Sequence, residues 1–405
     1  MSQYINAIAV AAITSQALLV LVVFRNYRYV LAKRKPRQSL YHPPVTLIVP
    51  CKGLEKSFKK NVSSLLQQDY PDYRLWFVVE ETEDPAYRVL RRMKSSQIER
   101  CTAREIRILV AGRGGSCSQK NHNLIYAYRR IPDDVQVLAF ADSDVCVRGD
   151  WLARMVHPLR NGRIGASTGY RWFIPQSNNL ASLALSAMNA KVAQFLGNTH
   201  LNKAWGGSMA IKVDVFRKAA LEEIWSKSLS DDLSLSAAVK ILRRKIAFVP
   251  AALAASYEST TWRNLFEFGR RQFLITRVYA FGTWSLALFS SLYSVLGLWG
   301  GTAAAVISAS CGLRNAPLLA AVPASFLAGQ AVRAVMRQAV MARIMGARRE
   351  HMKAAAVADV AGCWAWSAVL LLLVTASGFG RTVKWRGIRY RLRGPWEVER
   401  SPGAG

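Results

Sequence analysis

The residues whose types and spacing could do chemistry are few, and they fall in order along the chain. Residues 137–145 read Val-Leu-Ala-Phe-Ala-Asp-Ser-Asp-Val, an apolar run that stops at two carboxylates one residue apart, Asp142 and Asp144. Carboxylates so spaced can both reach one hard cation, and Mg2+ or Mn2+ held by one or two carboxylates normally completes its shell with substrate phosphates. Taken alone, the pair equally describes a polar loop after a strand. Upstream, Pro50-Cys51-Lys52-Gly53 could turn backbone N–H groups toward a nucleotide and bring Lys52 to its phosphates. Glu80-Glu81 follow a second apolar run, where Glu81 could accept hydrogen bonds from a base or ribose, or belong to the acidic first turn of the next helix. Lys120 sits at a helix start, Gln119-Lys120-Asn121-His122-Asn123; a cation there opposes the helix dipole and so invites an anion such as a diphosphate. The lone His122 reads as a hydrogen-bonded structural residue. Asp231-Asp232 precede an apolar helical run and could merely cap it. Group transfer to a hydroxyl, however, needs a carboxylate to take the acceptor proton, and Asp232 is available for that. Last, Arg271 and Gln272 lie in a basic, aromatic stretch, residues 266–277.

These residues need elements to hold them, and the apolar pattern supplies candidates. Short apolar runs predict strands over 45–50, 75–79, 106–110 and 137–141. Helical periodicity falls between and after them, with Phe58, Val62, Leu65 and Leu66 on one face and further helices near 86–97, 119–130 and 150–160. Alternating strands and helices imply an α/β fold with a mostly parallel sheet, and ligands of such sheets bind at the strands' carboxyl ends. Every candidate residue up to Asp144 follows the end of a predicted strand.

The flanks are different in kind. Residues 5–24 carry no charge over a length sufficient to cross a bilayer, and the positive charge follows rather than precedes them, which predicts a retained transmembrane helix with its basic side in the cytoplasm. Further apolar segments lie at about 283–307, 316–335 and 354–376. Four full crossings would separate the basic stretches 333–353 and 381–393, so one segment is expected to be interfacial or re-entrant. Residues 180–188 suggest an amphipathic helix along the membrane plane, or an ordinary core helix. The expected organisation is a transmembrane anchor over 1–37, a catalytic domain over 38–277, membrane or interfacial helices over 278–380 and a basic tail over 381–405, frayed from Ser401. The net charge of +30, from 55 Lys and Arg against 25 Asp and Glu, crowds beside apolar segments, which favours anionic lipid over nucleic acid as its partner. The six cysteines show no paired or metal-ligand spacing. The sequon Asn61-Val62-Ser63 falls in a predicted cytosolic helix and is assigned no role.

Taken together, Val45-Thr46-Leu47-Ile48-Val49-Pro50, Gln67-Gln68-Asp69-Tyr70-Pro71, Asp84-Pro85-Ala86, Gln119-Lys120-x-His122-Asn123, Asp142-x-Asp144, Trp205-Gly206-Gly207-Ser208 and Asp231-Asp232 resemble membrane-bound family 2 and family 21 glycosyltransferases, nearest to ceramide glucosyltransferase-like enzymes. The resemblance implies a GT-A catalytic domain on the cytosolic face, a UDP-sugar donor, a divalent metal (Mg2+ or Mn2+), inversion at the anomeric carbon and a membrane-lipid acceptor. It implies that Asp142 and Asp144 hold metal and donor, with Pro50, Lys52, Glu81 and Lys120 on the nucleotide sugar. Asp232 would be the general base, and Arg271 with Gln272 would stand for the basic motif before the membrane. Two departures matter. Glu80-Glu81 replace the usual aspartate, and Ile275-Thr276 interrupt the family's Gln-x-x-Arg-Trp element, leaving Arg270, Arg271 and Arg277 all open for its arginine. A processive polysaccharide synthase, or transfer of N-acetylglucosamine to another lipid, is the alternative; the broken element argues against the former.

Overall fold

The computed structural model describes residues 2–33, 41–97 and 101–401. The boundary expected at residue 37 and the frayed end beyond Ser401 lie outside them. Four strands follow the apolar runs: Val45–Pro50 (β1), Tyr73–Val79 (β2), Glu105–Val110 (β3) and Val137–Ala141 (β4). Every residue of β2 and β4 is buried, as expected of strands covered on both faces. Three more strands complete the sheet: Ile164–Pro175 (β5), Ser208–Lys212 (β6) and Lys245–Glu258 (β7). The order is β3-β2-β1-β4-β6-β5-β7, with β1 to β4 mutually parallel, β6 antiparallel to both its neighbours, and β5 parallel to β7. The strand order reverses at β1 and β4, so the ends of those two strands open the crevice where such sheets bind ligands.

One long helix precedes the sheet, Ser2–Lys33 (α1), and short helices cover its two faces: Phe58–Leu66 (α2), Pro85–Gln97 (α3), Gln119–Tyr128 (α4) and Trp151–Val156 (α5). One face buries Leu47, Leu75, Phe77, Leu65 and Trp151; the other buries Ile48, Trp76, Phe140, Leu124 and Trp225. The helix Leu180–Ala193 (α6) is not an interfacial one. Its Ala181, Ala184, Ala187, Met188 and Ala190 are buried, because small side chains let it pack closely between β5 and the C-terminal helices. Val213–Lys218 (α7), Leu221–Trp225 (α8) and Asp231–Ile241 (α9) follow.

Trp262–Tyr279 (α10) leads into the membrane region. Phe281–Val295 (α11) continues through a π-helical turn into Gly301–Ser310 (α12), and Ala316–Met345 (α13) returns. Three helical stretches among the described residues are long and apolar enough to cross a membrane: Gln3–Lys33, Phe281–Ser310 and Ala316–Met345. The last apolar segment is broken. Lys353–Ala361 (α14) and Cys363–Ser377 (α15) meet at 86° across Gly362, and 15 residues of helix at 1.5 Å each fall short of a hydrocarbon core of about 30 Å. Counted as one broken span, this bent pair would bring the candidate crossings from three to four. Membrane helices and sheet share one core, in which Val30, Trp172, Phe248, Met341 and Ile344 meet.

α13 carries a buried polar stripe. Arg337 Nε donates to Asp359 Oδ2 at 2.6 Å and Gln338 Nε2 to the same oxygen at 2.7 Å, while Arg333 donates to Gln16 Oε1 at 3.2 Å.

What reads in sequence as a basic tail is a folded antiparallel sheet, Thr382–Trp385 (β8), Ile388–Gly394 (β9) and Glu397–Ser401 (β10). Its arginines alternate with Ile388, Tyr390 and Leu392, which turn inward against Leu229 and Leu274.

Candidate functional site

The Asp142–Asp144 loop leaves the end of β4 and is held from three sides. Asn61 of α2, the sequon asparagine, is buried and donates from Nδ2 to the Ser143 carbonyl at 3.2 Å. The Val147 N–H donates to Ser64 Oγ at 3.1 Å, and the Cys146 N–H to the Ala255 carbonyl of β7 at 2.9 Å. Both carboxylates meet cations. Lys120 Nζ lies 2.7 Å from Asp142 Oδ1, and Arg171 Nη2 lies 3.4 Å from Asp142 Oδ2 and 3.2 Å from Asp144.

Lys120 reaches the site because α4 starts there: Ser118 caps the helix by accepting from the Asn121 N–H at 3.1 Å. Its ammonium is shared, lying 3.0 Å from Asp231 Oδ2. Burial alone would lower the Lys120 pKa, but Asp142, Asp231 and Asp232 more than outweigh it and hold the group firmly charged. Burial pushes Asp231 up to about 6, with Lys120 pulling it down and Asp232 and Asp142 adding to the rise. Burial likewise opposes ionisation of Asp142, yet Lys120 and Arg171 bring it below the ordinary carboxylate range; Asp144, with Arg171 alone as a close cation, is raised.

Asp232 turns the other way from Asp231. Its Oδ2 accepts from the Gly206 N–H at 3.1 Å, and its Oδ1 accepts from Ser230 Oγ at 2.6 Å and from the Leu233 N–H at 2.7 Å. It is therefore both a helix-start acceptor and a fixed, partly exposed carboxylate beside the Trp205-Gly206-Gly207 turn. The two glycines there are required by space. A Cβ on Gly206 would lie 2.2 Å from Asp231 Oδ2, and one on Gly207 would lie 2.1 Å from the Trp205 ring and 2.7 Å from Asp142 Oδ2.

Of the other sequence-predicted residues, Pro50 ends β1 beside this edge, and Lys52 pairs with the buried Glu80. Gly53, at φ +69°, donates to Asp84, which caps α3. Glu81 faces outward, 3.5 Å from the exposed Arg113, so Glu80 rather than Glu81 is the carboxylate enclosed at the end of β2. His122 is structural, with Nε2 2.9 Å from the Ala111 carbonyl. The three open arginines separate cleanly. Arg270 donates to the carbonyls of Ala376 and Phe379, and Arg277 to those of Gly378 and Gly380, so both close the end of α15. Arg271 points toward the site, in the fields of Arg171 and Arg386, and donates to the Lys384 carbonyl at 3.2 Å. Gln272 is exposed and is not brought to the carboxylates.

Sequence reasoning missed Arg171 and Arg386, and it read Asp231 as a helix cap rather than as a partner of Lys120. Arg171 carried a signal, a lone cation in the aromatic run Tyr170-Arg171-Trp172-Phe173; its guanidinium lies 5.0 Å from the Trp205 ring and 5.3 Å from the Phe173 ring.

No group of three or more His, Cys, Asp or Glu side chains among the described residues is placed to hold a metal ion. Two adjacent carboxylates are nevertheless the donor set of a cation that takes the rest of its shell from phosphate, and Asp142 and Asp144 fit that role.

The sequence model of glycosyl transferase family 21 matches residues 4–396 of this chain. A ceramide glucosyltransferase of Gibberella zeae is 29% identical over 144 residues, 33% of this chain and 26% of that protein, so the chain spans about a quarter of that relative's length. Among solved structures, mannosyltransferase PcManGT of Pyrobaculum calidifontis, in complex with GDP-Man and Mn2+, superposes over 92% of this chain and 97% of its own, with TM-score 0.48 and 17% identity.

Proposed function

The chain belongs to glycosyl transferase family 21, and from that membership we propose that it moves a sugar, glucose, from a UDP-sugar to the hydroxyl of a membrane lipid of the ceramide kind, with inversion, on the cytosolic side. It is a glycosyltransferase and a membrane protein; the donor, the acceptor and the roles below are our reading. One observation supports it above the rest. At the crevice between β1 and β4, a carboxylate pair, two half-buried cations and a separate fixed carboxylate converge on a sheet whose core is continuous with membrane-spanning helices.

In this reading the donor's diphosphate lies against Lys120 and Arg171, which carry charge opposite to it in a site sheltered from water. Asp142 and Asp144 would hold the divalent ion, which when bound neutralises charge on the diphosphate. Pro50 and Lys52 line the nucleotide side, with Glu80 and Glu81 at the ribose end. Asp232 takes the proton of the acceptor hydroxyl, and its three hydrogen bonds hold the carboxylate aimed. The hydroxyl oxygen then attacks the anomeric carbon opposite the leaving diphosphate. The lipid acceptor reaches the site because α6 and the Val30–Trp172–Met341 core bring the sheet down to the helices. Arg271, the site-facing member of the pre-membrane motif, sits between acceptor and diphosphate; an exposed Gln272 is left without a role.

The test is UDP release by the protein in lipid nanodiscs, given UDP-sugars with and without ceramide. Asp232→Asn should lower transfer by on the order of 100-fold or more while UDP affinity stays within about twofold. Full activity in that variant overturns the base assignment, and no UDP release from any UDP-sugar overturns the donor class.

A further inference from the structure

The C-terminal sheet does not hang free of the site. Tyr390 Oη accepts from the Gln119 N–H at 3.1 Å, next to Lys120, and Arg400 donates to the Gly114 carbonyl at 3.0 Å and lies 3.8 Å from the buried Glu80. Arg271 holds β8 through the Lys384 carbonyl, and Val383, Tyr390, Leu392 and Val398 bury the sheet's inner face against Leu229 and Leu274. The sheet is thus fixed to the loops after β2 and β3 and to the start of α4. Its hairpin tip is equally defined. Trp385 pairs with Ile388, and the two residues between, Arg386 and Gly387, have φ of 48° and 82°, both in the left-handed region that a two-residue hairpin turn of this hand needs. An arginine at the first of those positions is unusual, since Gly or Asn normally fills it.

That tip delivers the Arg386 guanidinium to the loop after β1, where it pairs with Glu55. Glu55, Asp144 and Asp142 all act on Arg386, so its charge is felt across the mouth of the carboxylate pair. Of the three arginines before the membrane, Arg270 and Arg277 are committed to the end of α15, and Arg271 donates to the hairpin that carries Arg386.

We propose that the C-terminal hairpin is part of the donor site, and that Arg386 at its tip binds the donor's diphosphate, exchanging Glu55 for phosphate oxygens. This rests on the nucleotide-sugar reading above. A guanidinium is suited to the exchange, because its forked N–H groups meet carboxylate and phosphate oxygens in the same two-point geometry. Glu55 serves as the competing partner that keeps the side chain in place, and removal of its charge should favour the diphosphate.

The experiment compares UDP and uridine binding by calorimetry in wild type, Arg386→Ala, Arg386→Lys and Glu55→Gln, all in nanodiscs. Arg386→Ala should weaken UDP by about 10- to 100-fold, the worth of one charge-assisted pair, and leave uridine unchanged. Arg386→Lys should recover part of that loss, and Glu55→Gln should tighten UDP. Equal loss of UDP and uridine would mean a structural role only and would overturn the proposal, as would UDP binding unaffected by Arg386→Ala. Failure of wild type to bind UDP at all would instead strike the nucleotide-sugar reading, so the two failures are distinguishable.

Discussion

Replacing Asp231 by asparagine should stabilise the protein at neutral pH. The residue is only 3% exposed, its Oδ2 has no hydrogen-bond donor besides the shared Lys120 ammonium, and burial pushes its pKa up to about 6 from a reference of 3.8. The native state therefore binds this proton more tightly than the unfolded chain does. Stability from the group is complete below the unfolded pKa and is lost as pH rises through about 4 to about 6. A rise of about two units at 1.36 kcal/mol each makes the cost of the ionised form about 3 kcal/mol at pH 7.5, and about half that at pH 5, where folded Asp231 is largely protonated. Asparagine resembles the protonated acid and escapes the cost. The expected result is a higher unfolding temperature for Asp231→Asn in detergent at pH 7.5, with the advantage shrinking toward pH 5. Transfer activity should fall in the same variant, because Lys120 loses one of the two carboxylates that orient it. A variant no more stable than wild type at pH 7.5, or an advantage that grows on acidification, would refute the account of Asp231 as a buried carboxylate held ionised at a net cost.

Gly207→Ala should cut transfer by about tenfold or more with a smaller effect on unfolding temperature, because the added methyl must displace Asp142 Oδ2 and the Trp205 ring, which is only partly buried at the edge of the core; activity assay beside thermal denaturation checks both halves. Asp359→Asn should destabilise the membrane helices by about 3–5 kcal/mol, since it leaves Arg337 buried without its counter-charge, and a joint Arg337→Met, Asp359→Leu replacement should recover most of the loss in a detergent-unfolding series.

The strands β1 to β4 were legible because a strand covered on both faces leaves an unbroken apolar run, and the acids at their ends stood out against it. The later strands were not. β5 contains Gly165, Gly169 and Arg171, and β6 spans five residues, so neither shows a clean period. Arg171 is one of 55 basic residues in sequence, and only the fold brings it to carboxylates 27 and 29 positions away. Likewise Asp231 and Asp232 look alike in sequence, and the turn at Gly206 alone separates them into a buried partner of Lys120 and a hydrogen-bonded, partly exposed acid. The tail shows a different failure. Ile388-Arg389-Tyr390-Arg391-Leu392-Arg393 alternates strictly, which is a strand signal, but its charge invited a membrane-flank interpretation first.

The buried pair between Arg337 and Asp359 also bears on how the chain is made. Synthesis delivers α13, with Arg333 and Arg337, before it delivers the acid 22 residues later. An arginine near a helix centre opposes insertion by roughly 2.5–3.5 kcal/mol on the translocon scale. The acid that offsets the charge of α13 is made only after that helix, so its buried pairing is complete only once α14 has followed. In Asp359→Asn chains the offsetting charge is missing, and residues of α13 should become open to aqueous thiol labelling in a larger share of molecules while the other spans hold the chain in the membrane pellet.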